Sequence, residues 1–521
     1  MVKSLPDDIA ERYDIVVVSP RNYFLYTPLL PAACTGTMED RSIVEPVRTQ
    51  IKGKARYFEA VCQSVDPEAK ELVCCFPKDA GIDQACFKVG YDLLVTSVGS
   101  INNTFGTPGV EENCYFFKTI DDAKRLRKRV SELFERASLP HTPVEERRKL
   151  LSMVIVGGGP TGVEVAAELD DMIRQDLSKL YPDIIKDVKI SVVELQDHIL
   201  SMYDRKISDY AAKQFFRSEI NLLLGVKVAS VKREAVTLVP KDGKEEELPF
   251  GVCVWCTGIK LNPLAQQLQQ SLPDGTQTNF RAITTDQYLR VKGSKGSIYS
   301  LGDMATIEQP RALEKLEELF AAADEDGDGT LTVAELGELL TRASDDYPHL
   351  EEYAEFLTTP DRFGGFARSI FAKSQKNKNT PGGALGGLPK DARLTREDFK
   401  ELLTKIESNL RILPATAQVA RQQGEYLASL LVQNRITGHE DQDQYEATFR
   451  PFQYNHKGSL AYVGDDNAVM DIPVIGPITG RAAGYGWKGF ETISQISVRN
   501  QVLVATDWLR SKIFGRDISR F

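Results

Sequence analysis

Short apolar runs recur along the chain, and several are followed by a glycine-rich turn and then by residues with helical periodicity. The clearest unit spans residues 153–194, where the run MVIV is followed by GGGPTGVE, a helical segment and a second run, VKISVVE. Apolar runs of this length predict buried strands, and their alternation with helices favours parallel pairing. The pattern predicts an α/β fold with doubly wound dinucleotide-binding units.

The turn in this unit carries three glycines, Gly157, Gly159 and Gly162, at the spacing G-x-G-x-x-G. In this motif the first glycine allows a sharp turn, the second lets the backbone approach a pyrophosphate, and the third lets helix and strand pack closely. Glu194 ends the next strand, where a carboxylate accepts hydrogen bonds from a ribose 2′-hydroxyl and repels a 2′-phosphate. We therefore predict binding of NADH rather than NADPH, the alternative being a glycine turn without a ligand.

Glu194 lies further from Gly157 than the usual ~20 residues. We attribute the excess to a lengthened helix and loop through residues 170–185.

Two further apolar runs end at positions suited to a ligand. Residues 91–99 form a strand pattern that stops at Gly99, and residues 297–301 form one that stops at Gly302 and Asp303. Ligands of open α/β sheets bind at the carboxyl ends of the strands. The run at 15–18 has the character of a second strand in such a unit, so we expect a first strand and its glycine loop upstream of it.

Residues 311–409 are acidic, helical and interrupted by glycine, unlike the α/β pattern around them. Their core, DEDGDGTLTVAE, matches the template D-x-[DN]-x-[DN]-G-x5-E of an EF-hand loop, and the flanking segments have helical periodicity. Such a loop binds Ca²⁺ through carboxylates and one backbone carbonyl. The expected ligands are Asp324, Asp326, Asp328, Thr330 through its carbonyl, and Glu335. The alternative is a solvated acidic loop.

Residues 391–403 have the pattern of the second half of another such loop. Leu394 and Asp398 occupy the positions that correspond to Leu331 and Glu335. Because residues 387–391 lack the early carboxylates of the template, we predict a structural partner with little or no affinity for Ca²⁺.

The last segment of the chain has apolar residues at the spacing of one helix face: Val498, Val502, Ala505, Leu509 and Ile513. Residues 499–520 hold five basic and two acidic residues, with Trp508 between them. A basic amphipathic helix with a tryptophan suits a membrane interface. The alternative is a helix that packs on the domain core.

Composition narrows the function classes. The 521 residues are 42% hydrophobic and 26% charged, as in a folded protein, and the formal net charge of −10 argues against general nucleic-acid binding. The eight cysteines are irregularly spaced and predict reduced thiols rather than a disulfide framework. Cys253 and Cys256 form a C-x-x-C, but they lie in an apolar strand pattern, which favours a buried structural role over dithiol chemistry.

Five segments, taken together and in this order, resemble the type II (non-proton-pumping) NAD(P)H:quinone oxidoreductases: SPRNYFLYTPLLP, GGGPTGVE, VWCTGI, SLGDMAT and PATAQVARQQGEYLA. The calcium-type loop between the last two resembles the external calcium-binding NAD(P)H dehydrogenases of plant and algal mitochondria. The resemblance implies two dinucleotide-binding domains, one for non-covalent FAD and one for NADH, with an inserted all-α EF-hand module and C-terminal amphipathic helices.

The domain limits expected from this resemblance follow the motifs. The FAD domain would comprise 1–120, 291–310 and 410–439, the last with a quinone-side helix, and the NADH domain 121–290. The EF-hand insert would span 311–409 and a membrane-associating region 440–521.

The same resemblance implies roles for single residues. Tyr26, Thr27, Pro28 and Leu29 would line the isoalloxazine, and Gly99, Gly258, Gly302 and Asp303 would contact the FAD. The three glycines of the central turn and Glu194 would hold NADH. Glu164 would lie near the nicotinamide and flavin, while Gln418 and Gln422 would mark the edge shared by flavin and quinone.

The implied reaction is hydride transfer from NADH to FAD followed by transfer of two electrons to a quinone, modulated by Ca²⁺. The implied location is the mitochondrial inner membrane, peripheral and on the intermembrane-space side, and a homodimer is compatible with the family. The sequence itself carries no targeting peptide pattern. Two alternatives stay open: a soluble FAD-dependent NADH reductase with another acceptor, and a non-catalytic calcium-binding relic of a flavoprotein.

Overall fold

The computed structural model describes residues 1–76, 85–308, 311–324, 326–344, 347, 350, 353, 393–408, 413–433, 450–473 and 475–518. The prediction for residues 387–391 therefore lies outside the described residues.

The strands are short, and most of them follow an apolar run of the sequence. In chain order they are β1 Val16–Ser19, β2 Tyr23–Leu25, β3 Val44–Pro46, β4 Arg56–Glu59, β5 Val61–Asp66, β6 Glu71–Cys75, β7 Cys86–Gly90, β8 Leu94–Thr96, β9 Ser100–Asn102, β10 Tyr115–Phe116, β11 Ser152–Val156, β12 Lys189–Glu194, β13 Asn221–Leu224, β14 Lys227–Val231, β15 Ala235–Val239, β16 Glu246–Pro249, β17 Val252–Trp255, β18 Ile259–Leu261, β19 Ile283–Thr285, β20 Ile298–Ser300, β21 Ala305–Ile307, β22 Thr330–Thr332, β23 Arg393–Thr395, β24 Ser459–Gly464, β25 Asn467–Ile472 and β26 Gly476–Gly480.

The α-helices are numbered in the same way. They are α1 Leu30–Cys34, α2 Val47–Gln50, α3 Val110–Asn113, α4 Ile120–Ala137, α5 Val144–Leu150, α6 Pro160–Met172, α7 Ser178–Leu180, α8 Arg205–Arg217, α9 Pro263–Gln270, α10 Leu316–Ala323, α11 Val333–Ala343, α12 Arg396–Ser408, α13 Ala417–Val432, α14 Arg481–Ile493 and α15 Val498–Phe514.

The centre of the fold is a parallel five-stranded sheet in the order β10-β17-β11-β12-β13. Its middle strand, β11, is buried along its whole length, as expected for a parallel strand covered on both faces. Helix α6 leaves β11 and continues as a π-helical turn, Ile173–Leu177, and then as α7. The lengthened helix predicted between the glycine turn and Glu194 is therefore confirmed.

The second α/β unit is assembled from segments distant in sequence. The parallel pair β1–β4 comes from the first 60 residues, and the parallel pair β8–β20 joins Leu94–Thr96 to Ile298–Ser300. An antiparallel sheet, β5–β6–β7, packs beside β1 through β5, and helix α9 also contacts β5. The pairing of β8 with β20 places Gly99 and Asp303 at the carboxyl ends of neighbouring strands, as the sequence pattern predicts.

The disulfide between Cys75 and Cys86 corrects the prediction of eight reduced thiols. These residues are register partners on β6 and β7, with Cα atoms 4.1 Å apart, and this pairing is a tertiary feature that spacing does not reveal. The other six cysteines are free. Burial raises the pKa of Cys256 to about 12, and Cys253 is fully buried in β17, which agrees with a structural role for the C-x-x-C.

The insert between β21 and α13 has an apolar core of its own. Helices α10, α11 and α12 pack around the short antiparallel pair β22–β23. Leu331 and Leu394 are register partners in this pair, and both are buried. The two leucines that occupy corresponding positions in the two loop patterns are therefore paired with each other in the structure.

The C-terminal part packs back on the central unit. The antiparallel sheet β24–β25–β26 lies against α6 and α14, and Tyr462 of β24 stacks on Trp487 of α14 with ring centroids 5.0 Å apart. No helix within the described residues is both long and apolar enough to cross a bilayer.

Candidate active site

The glycine turn between β11 and α6 has the geometry that its sequence predicts. Gly157 has φ +113°, a conformation that side chains rarely adopt. A Cβ atom on Gly162 would lie 1.9 Å from the carbonyl oxygen of Gly157, so only glycine allows this contact between turn and helix. Gly159 is the N-cap residue of α6, and a Cβ atom there would meet no atom within 4 Å. The backbone of the turn is therefore tightly packed at Gly162, whereas the space next to Gly159 is open.

The carboxylate of Glu194 closes one side of this open space. It accepts hydrogen bonds from the backbone N–H of Gly158 at 2.5 Å and of Gln196 at 2.8 Å. The N-terminus of α6, which favours negative charge, faces the same turn. A space at a helix N-terminus with an acidic group beside it fits the pyrophosphate and ribose of a dinucleotide, so the residues present fit an NAD cofactor.

Within the segment 26–29, Thr27–Leu29 forms a short 3-10 helix that leads into α1, and Tyr26 is its N-cap residue. Thr27 is exposed and Pro28 is half-buried, whereas Leu29 is fully buried in the main core. The side chain of Leu29 therefore anchors the segment in the core. Its predicted contact with the isoalloxazine ring could be made only by its backbone. The hydroxyl of Tyr26 donates to the carboxylate of Glu491 at 2.7 Å.

Around Asp303, polar groups from three distant segments meet. Ser100 donates its hydroxyl to the Asp303 carboxylate at 3.2 Å and accepts from the Lys118 ammonium at 2.7 Å. Burial lowers the pKa of Lys118, and the charge of Asp303 opposes that shift. Gly99, with φ +68° and no atom within 4 Å of a Cβ position, leaves the neighbouring backbone open. The exposed backbone and the carboxylate at these strand ends fit a sugar and diphosphate such as those of FAD.

Gly258 lies at the junction of the two α/β units and not beside an open space. A Cβ atom there would lie 2.5 Å from the ring of Phe105 and 2.9 Å from the carbonyl oxygen of Asn103. The indole of Trp255 donates to the same carbonyl at 3.0 Å. The structure thus gives Gly258 a packing role, and its predicted contact with FAD stays a prediction.

The glutamines of α13 are held by hydrogen bonds. Gln418 accepts from the Tyr454 hydroxyl at 2.9 Å and the Lys457 N–H at 2.8 Å, and Gln422 exchanges two hydrogen bonds with the backbone of Asn455. Both amides therefore fix the segment 454–458 against the helix. The neighbouring Gln423, which the sequence analysis did not select, accepts the Gly302 N–H at 2.8 Å and connects α13 to the Asp303 turn.

Glu164 lies in the first part of α6, just after the glycine turn. Its carboxylate accepts the Tyr462 N–H at 3.2 Å. Burial raises the pKa of Glu164 well above its ordinary value, and the charge of Glu491 adds to this shift. Glu491 also accepts a hydrogen bond from Tyr26, so its charge acts on both Glu164 and Tyr26. The place of Glu164 near the nicotinamide and flavin stays a prediction.

The acidic loop of the insert gathers three of its five predicted ligands. The carboxylates of Asp324, Asp326 and Asp328 each offer an oxygen within 4.8 Å of the others. Glu335 instead caps α11, accepting from the Thr332 N–H at 2.8 Å and its hydroxyl at 2.7 Å. Thr330 lies in β22, where its hydroxyl accepts from Arg393 at 3.1 Å. The three aspartates fit a hard cation, and Glu335 would have to rotate to join them.

Helix α15 is attached by one side, through polar contacts and through Val504 and Trp508 on the main core, and it exposes a second apolar side. Asn500 donates to the Ser42 carbonyl at 2.7 Å, and Asp507 accepts the Glu39 N–H at 2.9 Å. The predicted face is exposed, with Val498 at 73%, Leu509 at 60% and Ile513 at 61%. We call this face, together with the exposed Tyr485, Phe490 and Ile493 of α14, the apolar face. Helix α15 therefore packs on the core, as the alternative expects, but by its other side, and the five residues of the predicted face stay exposed.

One buried cluster near α6 was not anticipated. Arg516, close to the end of the chain, pairs with Asp176 at 2.9 Å, Glu168 at 3.9 Å and Asp171 at 4.0 Å. It also donates to the Thr37 hydroxyl at 2.8 Å. These residues are far apart in sequence and follow no motif, so spacing offers no signal for them. The cluster fixes the segment after α15 to the core.

Comparison with known proteins agrees with this geometry. The family model for pyridine nucleotide-disulphide oxidoreductases matches residues 7–327, and that for the NDH2 C-terminal domain matches residues 456–517. The external alternative NAD(P)H-ubiquinone oxidoreductase B2 of Arabidopsis thaliana mitochondria is 38% identical over 519 residues, which are 98% of this chain and 86% of that protein. The chain belongs to the alternative NAD(P)H-ubiquinone oxidoreductase family.

Other members of this family show the same relationship. An external alternative NAD(P)H-ubiquinone oxidoreductase B1 of Solanum tuberosum mitochondria is 39% identical over 533 residues, 99% of this chain and 88% of that protein. The structure of NDH2 from Plasmodium falciparum in complex with NADH aligns with a TM-score of 0.81 at 27% identity, covering 100% of this chain and 96% of that one. The predicted family is therefore confirmed, and the predicted α/β fold is identified as that of the pyridine nucleotide-disulphide oxidoreductases.

Proposed function

We propose that this protein is an NADH:quinone oxidoreductase that passes a hydride from NADH to FAD and two electrons on to a ubiquinone-type quinone. The observation that carries the proposal is the open space above Gly159 at the N-terminus of α6, with the carboxylate of Glu194 beside it. Relatives named NAD(P)H-ubiquinone oxidoreductases at 38–39% identity support the same reaction.

The roles of the nicotinamide-side residues follow from their positions. The backbone at Gly157, Gly159 and Gly162 would hold the pyrophosphate, and the Glu194 carboxylate would accept hydrogen bonds from the ribose. NADH is preferred over NADPH because the carboxylate repels a 2′-phosphate. Glu164, on the first turns of the same helix, would face the nicotinamide.

The flavin-side residues lie at the ends of β8 and β20 and in the 26–29 segment. Gly99, Gly302 and Asp303 would hold the sugar and diphosphate of FAD, and Tyr26, Thr27 and Pro28 would border its ring. Bound FAD would supply the two-electron acceptor that side chains lack. The chain's own contribution is to orient both ligands and to exclude water from the space between them.

The apolar face supports a quinone acceptor that is delivered from a membrane. Side chains of α15 that are apolar and 60–73% exposed form part of a contiguous exposed patch, and such patches mark surfaces that bind a membrane or a partner, which favours this acceptor over that of a soluble reductase. Gln418 and Gln422 hold the segment 454–458 against α13 and would mark the quinone side of the flavin. Peripheral attachment to a mitochondrial inner membrane, on its intermembrane-space side, belongs to this proposal, as does a homodimer.

Calcium is the regulatory part of the proposal. The insert would act as an EF-hand module in which Asp324, Asp326, Asp328, Thr330 and Glu335 bind Ca²⁺. Release of Glu335 from its cap on α11 would couple metal binding to the helices of the insert. The domain limits inferred from the sequence, with the insert at 311–409 between segments of the FAD domain, are retained in this proposal.

Steady-state kinetics tests the central claim. The purified protein, supplied with FAD, should oxidise NADH and reduce a short-chain quinone, and titration with Ca²⁺ should change the rate. Visible absorbance of bound flavin separates the enzyme from a non-catalytic calcium-binding relic. Absence of flavin-dependent quinone reduction at every calcium concentration would refute the function proposed.

A further inference from the structure

Glu491 is a buried acid with unusual surroundings. Eight acidic residues are buried among those described: Glu45, Asp122, Glu168, Asp170, Asp171, Asp187, Glu491 and Asp507. Seven of them form an ion pair with an arginine. Within the described residues, Glu491 has no such partner, and its contact is the Tyr26 hydroxyl at 2.7 Å. A buried carboxyl without a cation is costly when it is ionised, which favours its protonated form.

The position of Glu491 connects two parts of the proposed site. It lies on α14, whose residues Phe490 and Ile493 belong to the exposed apolar face. On its buried side it contacts Tyr26, at the start of the segment proposed to border the flavin. The charge of Glu491 also acts on Glu164 from α6. The carboxyl therefore lies between the membrane side of the protein and the place where the quinone would be reduced.

The groups around Glu491 have the protonation states that a proton path requires. Burial raises the pKa of Glu491 to about 7, and the hydrogen bond from Tyr26 partly opposes the shift. Burial and the charge of Glu491 raise the pKa of Tyr26, so its hydroxyl stays protonated, with Ser494 and the distant Arg421 acting weakly in the opposite direction. Glu164 holds its proton for the same reasons. Since the charge of Glu491 raises the pKa of Glu164, ionisation of Glu491 makes ionisation of Glu164 less favourable.

The proposed reaction needs one proton from outside NADH. Its balance is NADH + H⁺ + quinone → NAD⁺ + quinol, so the hydride supplies two electrons and one proton, and a second proton must reach the quinone oxygens. We propose that Glu491 holds this second proton and delivers it through the hydroxyl of Tyr26. In the structure the Tyr26 hydroxyl donates to Glu491, so for this transfer it turns to accept from the protonated carboxyl and to donate to a quinone oxygen. The carboxyl O–H bond then breaks as Tyr26 gains this proton, the O–H bond of Tyr26 breaks as its own proton passes to the quinone, and the carboxylate recovers a proton from water. The inference rests on the proposed quinone reduction.

The test compares wild type with Glu491→Gln, which keeps the size of the side chain and an acceptor for Tyr26 but cannot carry the proton. With a short-chain quinone, wild-type kcat should fall as the pH rises through about 7, because the protonated carboxyl is the active form. The variant should lose this inflection, and its kcat at pH 6 should be at least about tenfold lower. The rate of flavin bleaching by NADH without quinone should be unchanged, since hydride transfer requires no second proton.

A measurement independent of turnover checks the titration itself. Between the pKa of Glu491 in the unfolded chain and its raised pKa of about 7 in the folded protein, the folded state binds a proton that the unfolded state does not. The stability of the wild type therefore falls as the pH rises through this window. The glutamine variant does not, and its Tm relative to wild type should rise from pH 5 to pH 8.

The outcomes separate the two claims. A wild type that reduces quinone beside a variant with the same pH profile overturns the role of Glu491 alone. So does a Tm difference that is constant between pH 5 and pH 8. A wild type that binds flavin but does not reduce quinone overturns the proposed function, and the role of Glu491 with it.

Discussion

The carboxylate of Glu194 accepts the backbone N–H of Gly158 at 2.5 Å, so the acid at the end of β12 and the glycine turn after β11 are directly joined. The acid therefore both shapes the turn and carries a negative charge into the space above it. A ligand that brings a further phosphate to this side meets that charge at short range. Cofactor choice and turn geometry thus depend on the same side chain.

Substitution of Glu194 by Gln should relax cofactor preference. The amide can still accept the Gly158 N–H, while the repulsion of a 2′-phosphate disappears. The ratio of kcat/KM for NADPH to that for NADH should rise about tenfold, equivalent to about 1.4 kcal/mol. Asp197→Asn is the control, because Asp197 is an exposed acid nearby that contacts His198. Equal ratios in wild type and Glu194→Gln would remove Glu194 from the ribose site.

The two glycines at the start of α6 should respond differently to alanine. A Cβ atom on Gly162 would overlap the Gly157 carbonyl at 1.9 Å, so Gly162→Ala should destabilise the fold by about 1–3 kcal/mol, the usual cost of overpacking. Gly159→Ala should leave Tm unchanged, since no atom lies within 4 Å of the added carbon. It should nevertheless raise the KM for NADH, because the methyl group occupies the open space.

Thermal unfolding and steady-state kinetics on the two variants provide this comparison. If Gly159→Ala binds NADH as wild type does, the pyrophosphate does not approach the turn at that residue.

The sequence predicts those parts of the protein whose signal is local. The glycine spacing at 157–162 and the apolar strands on either side of it depend on neighbours in the chain. The outward face of α15 also follows from periodicity. Each of these features is fixed by steric or hydrophobic rules that act within a few residues.

The features that could not be predicted depend on which distant segments meet. Cys75 and Cys86 become partners only because β6 pairs with β7 in that register. Glu491 has no signal in the sequence that separates it from a paired acid, since its lack of an arginine is a property of the packed fold. Glu335 matches the calcium template, yet in the structure its carboxylate caps its own helix.

Arg393 should weaken calcium binding. Its guanidinium forms an ion pair with Asp328 and lies 3.1 Å from the Thr330 hydroxyl, so it places a positive charge beside proposed ligands. Arg393→Gln should raise the Ca²⁺ affinity about two- to fivefold, the range expected for loss of one exposed pair. Arg396→Gln is a matched control, because Arg396 pairs with Glu317 outside the loop.

Isothermal titration calorimetry measures the Ca²⁺ affinity of these variants. Glu335→Gln, which removes a proposed ligand, should lower that affinity sharply. An isotherm that Glu335→Gln leaves unchanged would contradict the ligand assignment, and one that Arg393→Gln leaves unchanged would contradict the competition.

The apolar face should be sufficient to bind a lipid bilayer. Leu509 and Ile513 are exposed on α15, and each contributes about 1.5–3 kcal/mol when moved from water into an apolar phase. The double variant Leu509→Glu/Ile513→Glu should therefore reduce recovery with liposomes in a flotation assay by at least about tenfold. Its Tm should not change, because the helix is attached through Asn500, Val504 and Asp507, which the two substitutions leave in place. Phe280→Glu serves as the control, since Phe280 is 90% exposed but lies outside this face. Equal flotation of the double variant and wild type would mean that the protein meets its quinone by another surface.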